Sequence, residues 1–159
     1  MKKFYIASVI AYSLLLTSCY GKPAIEVGNL RSEMLVYPIG LANTSPNLSW
    51  EITSDGRNVK QTAYQVLVAS SREKLDAGEG DLWDSGKTGS NTSIYVPYKG
   101  KKLESRTECY WKVRVFTNKG VSEWSDPAYW SVALTDESEW EARWTGLDRH
   151  FSWDSPDTY

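Results

Sequence analysis

The sequence predicts an all-β domain, an antiparallel β-sandwich of about seven short strands. Along several stretches of the 159 residues, apolar and polar side chains alternate with a period of two. That period is typical of strands with one buried face. Gly, Pro, Asn and Asp clusters separate the stretches at short intervals, as all-β domains require. The chain has no helical runs of the kind that parallel βαβ units need.

The clearest strand lies in the segment TECYWKVRVFTNKGVSEWS at 107–125. One of its faces carries Thr107, Cys109, Trp111, Val113 and Val115, and the other carries Glu108, Tyr110, Lys112, Arg114 and Phe116. Because one sheet cannot bury its own apolar face, this strand predicts a second layer. We expect Trp111 to anchor the core. We expect Trp124 to fold back over Lys112 or Arg114 on the outer face, as a cation–π contact.

The remaining elements are predicted from the same signals. Strands are expected at 24–35, 48–52, 61–69, 82–86, 93–98 and 128–134. The first should kink at its Gly-Asn pair, and Pro97 confines its strand to an edge or an end. A short helical turn, capped by Ser71, is expected within 70–80. Trp50 and Trp130 fall on inward faces.

Residues 1–19 have the features of a secretory signal, with a positive start and an apolar run at 6–16 that is too short to span a membrane. The sequence LTSC at 16–19 resembles a bacterial lipobox. That resemblance implies that Cys19 is acylated and becomes the mature N-terminus. Because Tyr20 follows instead of Asp, we expect a lipid anchor in the Gram-negative cell envelope, at the outer membrane. An ordinary signal peptide with a chance Cys is the alternative.

Composition excludes several classes of function. The net charge of −2 and the pI of about 5.5 argue against a nucleic-acid partner. If Cys19 carries lipid, Cys109 has no disulfide partner, and the single His150 lies far from it in sequence. Cys109 is therefore expected to be buried and inert. Neither a metal nor a cofactor is expected, since His and Cys do not cluster at ligand spacing.

Aromatic residues raise the question of sugar binding, because the chain has eight Trp and ten Tyr. Asp81 and Asp84 flank Trp83, as in an acid–aromatic sugar site. We favour the interpretation that Asp84 caps a turn and Trp83 packs. The weak candidates for sugar contact are Trp83, Tyr95 and Tyr98. Core and inter-domain packing is the commoner use of such side chains.

Strand 107–116 resembles the penultimate strand of a fibronectin type III sandwich, which is an immunoglobulin-like fold. That family places a Tyr near the start of this strand, where the present chain has Cys109. The corner hydrogen bond of such sandwiches is therefore expected to be missing or to be made by Tyr110.

A more specific resemblance comes from the order of several short pieces: NLRSEML, PIGL, LSWEI, QTAYQVLVAS, LWDSGK, YWKVRVF, GVSEWS and WEARWTG. Together they resemble the N-terminal fibronectin-III-like module of bacterial α-L-rhamnosidases, glycoside hydrolase family 78. The resemblance implies a sandwich at 24–135, followed at 136–159 by a linker and the truncated start of the next domain. It also implies that the catalytic carboxylates lie in a later helical barrel. No residue of this chain then inherits a catalytic role.

Three hypotheses follow. The chain is an accessory domain whose partners are the downstream domains of a rhamnosidase, or a lipid-anchored module that binds rhamnose-containing glycans, or a surface adhesion protein. An apolar patch near 140–153 would favour the first hypothesis. An exposed row of Trp and Tyr would favour the second. We expect the segment 140–159 to be poorly ordered or loosely docked, with a tail folded back over one sheet as the alternative.

Overall fold

The computed structural model describes residues 23–142, and these form two facing antiparallel sheets. The described strands are β1 (Ile25–Ser32), β2 (Asn47–Ser54), β3 (Gln61–Ala69), β4 (Trp83–Asp84), β5 (Thr88–Gly89), β6 (Val96–Pro97), β7 (Glu108–Thr117), β8 (Gly120–Val121) and β9 (Ala128–Ser131). A short helix, α1 (Arg72–Asp76), and a 3-10 helix at Glu137–Glu139 complete the set. The predicted all-β sandwich is confirmed.

The smaller sheet has the order β1-β2-β6, and the larger has the order β4-β3-β7-β8. In the larger sheet β5 also pairs with β3, and β9 also pairs with β7. The longest pairing joins β3 to β7, from Gln61 opposite Thr117 to Ala69 opposite Tyr110. The strand with the clearest sequence pattern is therefore central to its sheet.

The core lies between the sheets and is built on three indoles. Trp50, Trp111 and Trp130 are almost completely buried. Trp111 shares its face with Cys109, Val113 and Val115, which are also buried, so the predicted faces of β7 are confirmed. The rings of Trp111 and Trp130 meet edge to face with centroids 6.4 Å apart, a favoured geometry for aromatic pairs.

The outer face of β7 is covered by Trp124 and by α1. The guanidinium carbon of Arg114 lies 4.7 Å from the Trp124 ring centroid, and Nζ of Lys112 lies 5.3 Å from it. The predicted position of Trp124 is confirmed. Lys112 Nζ also donates to the carbonyl of Leu75 at 2.7 Å, which fastens the helix to the sheet.

Beyond β8 the edge of β7 is completed by serine hydroxyls. Ser122 Oγ accepts from the backbone N–H of Val115 at 2.9 Å, and Ser125 Oγ accepts from that of Val113 at 3.1 Å. The backbone N–H groups of the two serines donate in return to the carbonyls of the same valines, each at 2.9 Å. Residues 122–125 do not form a strand, yet they provide hydrogen-bond partners for the backbone groups at this edge of β7.

Of the predicted local features, the kink and the helix cap are confirmed and one strand is too long. The kink in β1 is confirmed by a register shift between Gly28 and Arg31, and Ser71 caps α1 as expected. The strand predicted at 93–98 is wrong in length, because only Val96–Pro97 pairs. Tyr95 interrupts it with a left-handed backbone, φ 55°. No described helix is long and apolar enough to cross a membrane. The predictions for 1–19 and for the tail from 143 lie outside the described residues.

Candidate functional site

Asp81 is a structural carboxylate that joins the loop before β4 to the end of β3. It accepts from the backbone N–H of Ser70 at 2.9 Å, from Ser70 Oγ at 2.8 Å and from Lys74 Nζ at 2.8 Å. Partial burial alone would raise the pKa of Asp81, but these hydrogen bonds outweigh it and lower the pKa to about 2. Asp81 is therefore ionised at neutral pH and cannot donate a proton to a leaving group.

Asp84 caps a turn, which confirms the interpretation that the sequence favoured. Its Oδ1 accepts from the backbone N–H of Gly86 and from Nε2 of Gln65, each at 2.8 Å. Trp83 between the two acids is half-buried and packs against the core cluster. The acid–aromatic spacing thus serves the fold.

Tyr98 was a weak candidate for sugar contact, and the exposure that such a contact requires is not observed. Tyr98 is only 4% exposed, and its ring meets those of Trp83 and Trp130 edge to face at 5.4 and 5.9 Å. Its hydroxyl donates to the carbonyl of Lys101 at 2.9 Å. Gly100 is required beside it, because a Cβ there would clash with the Tyr98 hydroxyl and the Leu82 carbonyl. Burial raises the pKa of Tyr98.

Of the three proposed sugar contacts, Tyr95 alone is largely exposed, at 59%. Tyr110 is half-buried, and its ring lies 5.1 Å from that of Tyr129. The Tyr110 hydroxyl donates to the carboxylate of Glu108 at 3.3 Å. Among the described residues Tyr110 thus makes no corner hydrogen bond to backbone, which agrees with the first of the two expected outcomes, a missing corner bond.

Cys109 is fully buried, as expected. Burial, with a smaller contribution from the negative charge of Asp81, raises the pKa of its thiol to about 12. A thiol that stays protonated at physiological pH is a poor nucleophile. Within residues 23–142, no group of three or more His, Cys, Asp and Glu side chains is placed to hold a metal ion.

The surface feature that sequence reasoning missed lies between β1 and β2, and we call residues 34–39 the apolar crossing. Its sequence is MLVYPI. Five of its large apolar side chains are 41–85% exposed: Met34, Leu35, Val36, Tyr37 and Ile39. An apolar patch near 140–153 was named as the feature that would favour an accessory domain. Trp140 is 64% exposed, and the rest of that stretch from 143 lies outside the described residues.

A model of the N-terminal immunoglobulin domain of Rha78A-like proteins matches residues 27–136. The chain belongs to this family. The resemblance to the N-terminal module of α-L-rhamnosidases, drawn from short pieces of sequence, is confirmed.

Relatives of this chain are named α-L-rhamnosidase. One from Formosa agariphila is 45% identical over 112 residues, which cover 69% of this chain and 12% of that protein. One from Streptomyces avermitilis is 43% identical over 122 residues, which cover 76% of this chain and 12% of that protein. The chain thus spans about an eighth of the length of these curated relatives.

Solved structures agree with the sequence matches. The crystal structure of the Streptomyces avermitilis α-L-rhamnosidase complexed with L-rhamnose is similar with a TM-score of 0.71 and 42% identity, over 75% of this chain and 12% of that one. The structure of the α-L-rhamnosidase from Dictyoglumus thermophilum is also similar, with a TM-score of 0.71 and 35% identity, over 74% of this chain and 13% of that one.

Proposed function

We propose that this immunoglobulin-like domain is a non-catalytic N-terminal accessory domain of an α-L-rhamnosidase, where it stabilises and positions the domains that follow. The observation that carries the proposal is the uneven coverage of the Formosa agariphila relative. Most of the present chain matches at 45% identity, but the match accounts for only 12% of that enzyme. The greater part of such an enzyme therefore lies outside this domain.

The chemistry of the described residues supports an accessory role. Glycoside hydrolysis uses one carboxyl group as an acid and a second as a base or nucleophile, at a fixed separation. Asp81, with a pKa of about 2, is held ionised by three hydrogen bonds. Asp84 is engaged by Gln65 and Gly86. Both side chains of the most suggestive acid pair thus serve the fold.

The proposal also extends to the N-terminus. The LTSC sequence at 16–19 supports lipid attachment at Cys19 and export to the cell envelope. Membrane fractionation of the parent and of Cys19→Ala tests it. The parent should sediment with membranes and the variant should be released. A variant that partitions like the parent would show that Cys19 is not the anchor.

A chimera tests the accessory role. Residues 23–142 replace the segment of the Streptomyces avermitilis enzyme that this chain matches, and a second form simply lacks that segment. We expect the chimera to melt at a clearly higher temperature than the shortened form and to retain the activity of the parent on an aryl α-L-rhamnoside. A chimera no more stable than the shortened form would contradict a stabilising role.

A further inference from the structure

The apolar crossing is an unusual surface for a folded domain. Single exposed apolar side chains are common on protein surfaces, whereas contiguous apolar patches mark sites of interaction. Here five large apolar side chains lie within six consecutive residues, and Ile39 is 85% exposed. The crossing therefore requires an explanation other than chance exposure.

The backbone around the crossing is held in conformations that are rare for residues other than Gly. Glu33, Met34 and Tyr37 have φ values of 50°, 62° and 49°. Each such residue costs about 1 kcal/mol or more and persists only where its surroundings impose it. Strained conformations of this kind cluster at binding and switch sites. Outside the crossing, Asn29, Asn58, Tyr95 and Arg106 also have positive φ values.

Hydrogen bonds impose that conformation. Ser32 and Leu35 exchange two backbone hydrogen bonds of 3.0 Å. The Glu33 carboxylate accepts from the backbone N–H of Asn47 at 2.8 Å and from Nδ2 of Asn43 at 2.9 Å. The crossing is thus a preformed surface, so that binding a partner costs less conformational entropy than it would if the crossing had to be ordered first.

The crossing is fastened to β9, the last strand before the chain leaves the sandwich. Ser131 donates its backbone N–H to the carbonyl of Pro38 at 3.2 Å, and its Oγ accepts from the N–H of Gly40 at 2.9 Å. Leu41 then pairs in parallel with Val132. The end of β9 therefore lies beside the crossing, and the chain then continues past Leu41 to Thr135, whose N–H donates to Ser105 Oγ at 2.9 Å.

The apolar face continues from Met34 towards the loop before β6. Ser49 Oγ lies 3.6 Å from Sδ of Met34 and accepts from the N–H of Tyr95 at 3.0 Å. Ile94 and Tyr95 are both more than half exposed. A groove of about 440 Å³ beside them has a mixed lining, with Met34 and Ile94 next to Asn29, Arg31 and Glu51. Such a groove can receive a bulky side chain of a partner, as in the central pockets of protein interfaces.

We propose that the apolar crossing, with Ile94 and Tyr95, is the docking surface for the polypeptide that follows this domain in an α-L-rhamnosidase. This inference rests on the proposed function and adds the face that is used. Attachment through β9 keeps that polypeptide at a high effective concentration beside the crossing, which favours it over any partner that arrives by diffusion. The occupant should offer an apolar face with a protruding side chain.

The chimera described above provides the test. Val36→Ser and Ile39→Ser are made separately in the chimera and in the free 159-residue chain. Val121→Ser is the matched control, because Val121 is 54% exposed but lies in β8, which pairs with the end of β7 opposite to β9. We expect the free chain to melt alike with and without each change. In the chimera, either crossing variant should lower the melting temperature by several degrees, whereas the control should not.

Hydrogen exchange reads the contact directly. The backbone amides of residues 34–39 should exchange at least about tenfold more slowly in the chimera than in the free chain. A tenfold change corresponds to about 1.4 kcal/mol of opening free energy. Crossing variants that behave like Val121→Ser in a stabilised chimera would overturn the docking face and leave the proposed function standing. A chimera that is not stabilised would overturn both. A free chain that dimerises, and that Ile39→Ser makes monomeric, would assign the face to a second copy instead.

Discussion

Ser122 and Ser125, which accept hydrogen bonds at the edge of β7, should contribute much more to stability than the small size of a hydroxyl group suggests. Ser122 and Ser125 are 6% and 8% exposed, and the valines whose N–H groups they accept are fully buried. Ser125→Ala removes the acceptor that lies 3.1 Å from the N–H of Val113. Ser122→Ala removes the one that lies 2.9 Å from the N–H of Val115.

A buried N–H group left without an acceptor costs about 1–3 kcal/mol. The lost atom is a single oxygen, so the cavity contributes little, and each variant should lose about 1–3 kcal/mol of unfolding free energy. The two hydroxyls serve different N–H groups, so the losses should add and the double variant should lose about 2–6 kcal/mol. That is a large part of the 5–15 kcal/mol typical of a domain, and should lower the melting temperature by about 4 °C per kcal/mol.

Urea unfolding followed by tryptophan fluorescence measures the free energies, and hydrogen exchange reports on the Val113 and Val115 amides. Glu123→Ala is the control, because Glu123 lies between the two serines and is exposed. Faster exchange should be confined at first to the valine whose acceptor is lost. If Ser125→Ala matched Glu123→Ala in stability, with Val113 exchange unchanged, the hydroxyl would not be completing the edge.

Three further predictions follow from the core and from its charged border. Trp111→Ala should cost about 3–5 kcal/mol of unfolding free energy. The whole loss should come from packing, because the indole N–H has no acceptor among residues 23–142. An unchanged melting curve would contradict the buried position of Trp111. The pKa of Asp81 is depressed to about 2 from an ordinary 3.8. The contribution of Asp81 to folding stability should therefore be complete above about pH 4 and should decline as the pH falls towards 2. Asp81→Asn should cost about 1 kcal/mol of unfolding free energy at pH 7, since the site is partly solvent-screened, and the variant should lack this loss of stability in acid. Cys109 should resist a disulfide reagent in the native chain at pH 8 and react in urea; rapid native reaction would show that it is not buried.

The faces of β7 could be predicted because its period of two is uninterrupted, so that every second residue from Cys109 to Val115 had to point inward. Trp124 followed from the same pattern, since a turn at Asn118 returns the chain over the cationic outer face. Both features depend on short-range geometry alone.

The misplaced features depend on contacts that are distant in sequence. Tyr98 was a candidate for exposure, yet it lies two residues after Val96 and shares its buried face. That face is fixed by the pairing of Val96 with Leu48, a buried residue of β2 that is distant in sequence. The apolar crossing was missed for a related reason. A consecutive apolar run ordinarily indicates burial. The hydrogen bonds that hold this run at the surface reach residues distant in sequence, from Pro38 and Gly40 to Ser131 and from Glu33 to Asn47.

Catalytic competence of the isolated chain tests the central claim most directly. The purified 159-residue chain should show no turnover of an aryl α-L-rhamnoside above the buffer blank. The chimera that contains residues 23–142, assayed in parallel, should be active. Turnover by the isolated chain that a single Asp or Glu substitution abolishes would contradict the account, because it would place a catalytic carboxylate within this domain.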